Sequence, residues 1–190
     1  MKDLKYCKLI HNNSTENEIT AHCMDDFNIQ QNALISGLPY SNWNGNHKLC
    51  FSESEGMISV DYLANDKGWF IVSDQLKKVL ETVNTEVQFF PIDVINSTKT
   101  QKYCYYIANI LRVVDALCLE QSEYFETYID GIGTVYTISK YAVYSNKTEQ
   151  SDVFKLANNQ EIPIFVSDHF KRKIEEQRIT GISFTEIRTI

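Results

Sequence analysis

The sequence predicts an α+β fold, a few helices packed on mainly antiparallel sheet, from three observations. Short runs of β-branched and aromatic residues recur, Trp69-Phe70-Ile71-Val72 and Ile164-Phe165-Val166 among them, and such runs suit a half-buried pleated surface. Both of those runs lead into Ser-Asp and then into apolar residues at helical spacing. The whole phrase also repeats: FIVSDQLKKVLE around Ser73 returns as IFVSDHFKRKIEE around Ser167. The chain therefore holds two similar strand–cap–helix–strand units, a duplicated structure with no sign of duplicated chemistry.

Taken in order, Tyr6 to Ile10 can open a sheet, whereas Asn12 to Asn17 and Pro39 to Asn46, the latter around Trp43, are dense in turn formers. Trp69 to Val72 is a strand. Ser73 then caps a helix, because its hydroxyl can accept a bond from an unpaired backbone N–H, and Asp74 suits the positive end of the first turn. Leu76, Val79 and Leu80 supply the apolar stripe, and the pattern ends near Val83-Asn84. Glu86 to Ile92 and Tyr103 to Ile110 read as strands, Glu120 to Glu126 as an acidic stretch and Thr134 to Tyr144 as a β-type run. A hairpin turning at Asn158-Asn159 leads into the second unit, where Ser167 caps a helix carrying Phe170 and Ile174, and Gly181 to Phe184 continues as strand.

The chain has 190 residues, with 3 prolines and 7 glycines scattered along it. No Pro- or Gly/Ser-rich linker divides it, so a single domain is expected over 1–190, with 1–66 as a variable acidic region and 67–190 as the core. A hydrophobic content of 43% with 23% charged residues is that of a folded globular protein. The 18 basic against 25 acidic residues leave a net charge of −7, which argues against direct nucleic-acid binding and suits a basic partner. Most of that charge, −5, falls within residues 1–66. The most apolar segment, Tyr103 to Leu119, is broken by Asn109, Arg112 and Asp115, so no membrane span is expected. Five cysteines without a CxxC pair, behind an N-terminus with no apolar signal core, point to a reducing cytoplasm.

Several residues invite a chemical reading. Ser73 and Ser167 stand where helix starts demand caps, so they are read as caps rather than nucleophiles. Asp130-Gly131-Ile132-Gly133 lacks the third glycine and the following helix of a dinucleotide loop, which leaves a turn. Cys7, His11, His22, Cys23, His47 and Cys50 crowd the first quarter, yet only His47 and Cys50 have ligand-like spacing, one pair short of a structural zinc site. No metal or cofactor is expected. An acidic surface with aromatic anchors is the stronger reading, since aromatic side chains carry much of the energy at protein interfaces. Asp25, Asp26, Tyr40, Trp43, Glu53, Glu55, Asp61 and Tyr62 are its candidate partner-binding residues.

The phrases WFIVSDQLKKVLE, VQFFPIDV, YYIANILRVVDAL, LEQS, VFKL and IFVSDHFKRKIEEQRITGISF follow one another between Gly68 and Ile187. Together they resemble a bacterial family first grouped as a domain of unknown function and then as number eleven among the immunity proteins of polymorphic toxin systems. Where the pattern tends to carry an acid after the segment Val113 to Leu117, this chain has Cys118. The resemblance implies a cytoplasmic protein that binds and blocks a cognate toxin domain encoded by an adjacent gene, and it implies no catalytic residues. A small enzyme that reverses toxin damage or acts on an unrelated small molecule, using Cys118, His169 or an acidic pair, is the alternative.

Overall fold

The computed structural model describes residues 5–12, 16–24, 27, 29–45, 47–98, 100–131, 133–157 and 162–190. The elements run β1 (Tyr6–His11), β2 (Thr20–Cys23), β3 (Lys48–Phe51), β4 (Tyr62–Asn65), β5 (Ile71–Val72), α1 (Asp74–Leu80), β6 (Val87–Asn96), β7 (Lys102–Ile110) and β8 (Val113–Val114). They continue with β9 (Glu123–Ile129), β10 (Gly133–Lys140), β11 (Ala142–Val143), β12 (Val153–Leu156), β13 (Ile164–Ser167), α2 (Asp168–Glu176), β14 (Ile182–Glu186) and β15 (Arg188–Thr189).

Strand outweighs helix, 44% against 15%, so the α+β expectation is corrected to a mostly β protein with two short α-helices. The acidic stretch accounts for part of the difference, because Glu123 to Ile129 is a strand. The sheets are also mixed. β2–β4, β3–β6, β8–β12 and β11–β15 pair in parallel, and the other ladders are antiparallel. Both serine caps form as expected: Ser73 Oγ accepts from Leu76 N and Ser167 Oγ from Phe170 N, each at 3.2 Å. α1 stops at Leu80, short of Val83-Asn84, because Thr82 turns back and its hydroxyl donates to Val79 O at 2.8 Å. The expected turn at Asn158-Asn159 lies outside the described residues, but β12 and β13 on either side of it pair antiparallel.

Six strands close a barrel in the order β2-β3-β6-β7-β5-β4, and β14-β1-β13-β12-β8 form a five-stranded sheet. Alternation along the strands divides the core. Ile71 and Ile107 point into the barrel with Leu49, Leu63, Trp69 and Val94. Their neighbours Val72 and Ala108 face outward, onto Leu76 of α1, Phe170 of α2, and Leu9, Ile164 and Val166 of the five-stranded sheet. Phe154 and Phe165 lie on the opposite face of that sheet with Tyr6 and Tyr141. Each such aliphatic or aromatic side chain contributes roughly 1.5–3 kcal/mol when fully buried.

The duplication reaches far beyond the repeated phrase. Five barrel strands run β2-β4-β5-β7-β6, and the five-stranded sheet runs β8-β12-β13-β1-β14. Register matches as well as order. Tyr62, following Asp61, faces Val72, which precedes Ser73; Val153, following Asp152, faces Val166, which precedes Ser167. Ala64 pairs in parallel with Thr20 and Lys155 with Val113, each the third residue after its aspartate. β3 meets β2 antiparallel and β6 parallel; β11 meets Leu117 antiparallel and β15 parallel. The fold is two copies of one unit with a strand exchanged. β7, which opens the second copy, completes the first, and β1, which opens the first, completes the second.

A shared clasp marks each copy. Ser73 N donates to Asp61 O and Ser73 Oγ to Asp61 Oδ1; Ser167 N donates to Asp152 O and Ser167 Oγ to Asp152 Oδ1. The second carboxylate oxygen reaches the segment after the other copy's helix. Asp61 Oδ2 accepts from Thr180 N and Oγ1, both at 2.8 Å, while Asp152 Oδ2 accepts from Asn84 N at 2.9 Å. The helices also cross-link, Gln75 Nε2 donating to Gln177 O at 2.8 Å and Lys173 Nζ to Thr82 Oγ1 at 3.2 Å. At this crossing Gly181 has φ +76°, and a Cβ there would lie 2.4 Å from Tyr62 O, so only glycine fits.

Candidate partner-binding surface

The sequence-derived surface residues fall into separate places. Asp25 and Asp26 lie outside the described residues. Tyr40 and Trp43 sit on the connection before β3, where both rings pack on Phe90 at 6.0 and 5.3 Å between centroids. Trp43 and Phe27 flank His47, at 4.9 and 4.5 Å, so this connection closes one end of the barrel. Glu53 and Glu55 are exposed on the turn after β3, at its other end. Glu53 Oε1 accepts from Asn96 Nδ2 at 2.6 Å, and Glu55 Oε2 lies 2.8 Å from His22 Nε2. Asp61 is committed to its clasp, and Tyr62 packs edge-on against Phe70 and His11 at 4.9 and 5.1 Å. β3 thus separates the aromatic pair from the glutamates, and Asp61 and Tyr62 serve the joint between copies.

The aromatic setting of His47 has a titration consequence. Burial holds its imidazole below the ordinary value of 6.5. The unfolded chain therefore takes up a proton that the folded chain resists, and stability is fully present above about pH 6.5 and falls as pH drops below it. Unfolding curves from pH 7.5 to 5 are expected to show this fall, and His47→Leu to flatten it. An unchanged slope in the variant would assign the fall to other groups.

The cysteines and histidines weighed as ligands are dispersed. Cys7 lies in β1, Cys23 in β2 and Cys50 in β3, and among the described residues no group of three or more His, Cys, Asp or Glu is gathered to hold a metal. Burial, together with the Asp66 carboxylate, pushes the Cys23 thiol up to about 12, far from thiolate reactivity. Cys118 is buried, while His169 Nδ1 lies 3.1 Å from Asp152 Oδ1. Each of these two is engaged with its own neighbours. Among the described residues no helix is long and apolar enough to cross a membrane.

A feature absent from the candidate set is the β9–β10 hairpin. Its two strands pair only with each other, and every residue of β9 is exposed. Phe125 and Tyr128 keep 70% and 72% of their surface accessible and stand on opposite faces. The tip turns through Gly131 and Gly133, both at positive φ. Ile138 anchors the base against the cluster of Tyr6, Tyr141, Phe154 and Phe165, and the two strands are joined there by Ser139 Oγ donating to Glu123 O at 3.0 Å and by the 2.8 Å Lys140–Glu123 pair. A cleft of about 530 Å³ separates this base from the edge of β14, with Glu123, Lys140, Thr185 and Arg188 among its walls. The alternating YFETYI before DGIG, followed by TVYTI, was the available signal; Glu126 within it, with Glu120 and Glu123 just before it, favoured the reading of an acidic stretch.

The chain is thus a duplicated, mostly β fold whose conspicuous exposed element is an aromatic hairpin. The chain matches the model of the immunity protein family Imm11 over residues 5–189, and it belongs to that family. The match covers the N-terminal third as well as the segment from Gly68 to Ile187. No curated protein matches the chain.

Proposed function

We propose that the chain neutralises a cognate bacterial toxin, encoded by an adjacent gene, by forming a one-to-one complex with it in the cytoplasm of the producing cell. Membership of the immunity family over nearly the whole chain carries this reading. The net charge of −7 supports a basic toxin surface, since complementary charge speeds encounter and fixes orientation. Stoichiometric blocking needs a surface and no reacting group. Glu53 and Glu55, with Tyr40, Trp43, Asp25 and Asp26, are proposed to contribute to the contact from the N-terminal side; Asp61 and Tyr62 hold the fold behind it.

Co-expression with the adjacent gene's product, read by pull-down and titrated growth rescue, tests the proposal. An equimolar complex and rescue that saturates at one-to-one are expected. Protection at far below equimolar amounts would overturn stoichiometric binding in favour of turnover. Within the complex, Glu53→Lys with Glu55→Lys is expected to weaken affinity by about tenfold, mainly through a slower on-rate at low salt.

A further inference from the structure

We propose that the β9–β10 hairpin is the principal toxin-binding arm, inserting its aromatic faces into an apolar recess with a basic rim on the toxin domain; this rests on the immunity reading above. The two copies of the fold make the argument. The connection 24–47 of the first copy, between β2 and β3, has its counterpart in the second in 115–141, between β8 and β11. In the first copy this connection serves its own barrel, with Phe27, Ile29 and Leu34 buried in it. In the second its middle is the β9–β10 hairpin, which leaves Phe125 and Tyr128 in solvent and Tyr124 and Ile129 partly so. An isolated two-stranded hairpin is marginal in water, and Phe125 and Tyr128, 70% and 72% exposed on its opposite faces, bury little area in this chain. They become favourable only against a partner.

Charge selects the partner's chemistry. Glu120, Glu123, Glu126 and Asp130 lie on or beside the hairpin; along it the one base is Lys140, with Lys8 and Arg188 across the cleft at its base. Lys140 is already paired with Glu123, and among the described residues Glu126 and Asp130 meet no base. An arm of aromatic anchors edged by free carboxylates fits a basic protein surface, with rigid two-χ side chains supplying contact area at low entropic cost. It does not fit a nucleic acid, nor a second copy presenting the same carboxylates.

The test uses the full-length chain and the toxin domain from the adjacent gene, with affinity measured by calorimetry or surface plasmon resonance. Phe125→Ala with Tyr128→Ala removes two exposed side chains, so the melting temperature is expected to stay within about 2 °C of the parent. Affinity is expected to fall at least 100-fold and growth rescue to be lost. Undiminished binding by this variant, beside a parent that binds, would overturn the hairpin assignment and leave the immunity reading standing. A parent that binds no toxin would overturn both. Sedimentation of the chain alone decides the remaining occupant: a parent dimer dispersed by the double substitution would assign the hairpin to a second copy and overturn the proposal.

Discussion

Replacing Asp152 by alanine is expected to lower the unfolding free energy by about 3 kcal/mol, and replacing Asp61 by about 1–2 kcal/mol. Both carboxylates do the same work. Each ties the hydroxyl that caps a helix to the strand of its own copy and to the chain that follows the other copy's helix. They differ in what replaces them. Asp152 is 9% exposed and Ser167 1%, so the loss of Asp152 strands the Ser167 hydroxyl away from water, and it also removes the partners of the exposed Asn84 N–H and of His169, the latter at 3.1 Å. Asp61 is half-exposed, and water can reach Thr180 once the carboxylate is gone. For a chain of this length the Asp152 loss corresponds to about 6–12 °C in melting temperature. Denaturant unfolding of both variants measures the order, and a Ser167→Ala cycle with Asp152→Ala isolates the coupling within the clasp. Equal losses below about 0.5 kcal/mol at both positions would show that packing alone joins the copies.

The clasps also show where sequence reasoning reaches and where it stops. Ser73 and Ser167 are legible as caps because the signal is local: a small hydroxyl, an acid beside it, then apolar residues at helical spacing. Their aspartates are hidden. Asp61 stands closer to Ser73 in the chain than Asp152 does to Ser167, so no fixed spacing reveals the equivalence. The exchange of β1 and β7 is hidden for the same reason, since pairing between Tyr6 and Ser167 is a contact between distant segments that no local pattern encodes. Of the proposed surface, the acidic and aromatic character was legible, and the separation of its members by β3 was not. Tyr40 and Trp43 pack on Phe90 at one end of the barrel, and Phe125 and Tyr128 sit among glutamates that mask a strand pattern.

The strand exchange carries the larger prediction. Removing residues 1–11 is expected to abolish cooperative folding altogether, because β1 lies between β13 and β14 and not at an edge. Its loss unpairs ladders on both sides, running from Tyr6 to Leu9 against β13 and from Cys7 to His11 against β14. It also takes Tyr6, Cys7 and Leu9 out of two core clusters. That exceeds the ~5–15 kcal/mol by which a domain is stable. What matters is the pairing, not the position at the start of the chain. Tyr6 N lies 3.3 Å from Thr189 Oγ1, so β1 can be supplied from the other end through a linker of roughly six Gly/Ser residues, which spans about 13 Å. Attached after Ile190, β1 follows β14 as β7 follows β6, and the second copy becomes contiguous. This permuted chain is expected to regain a single unfolding transition close to that of the parent, measured by calorimetry and near-ultraviolet circular dichroism. Folding of the truncated chain by itself would contradict a central β1. Failure of the permuted chain would mean that β1 must lead the chain in order to pair.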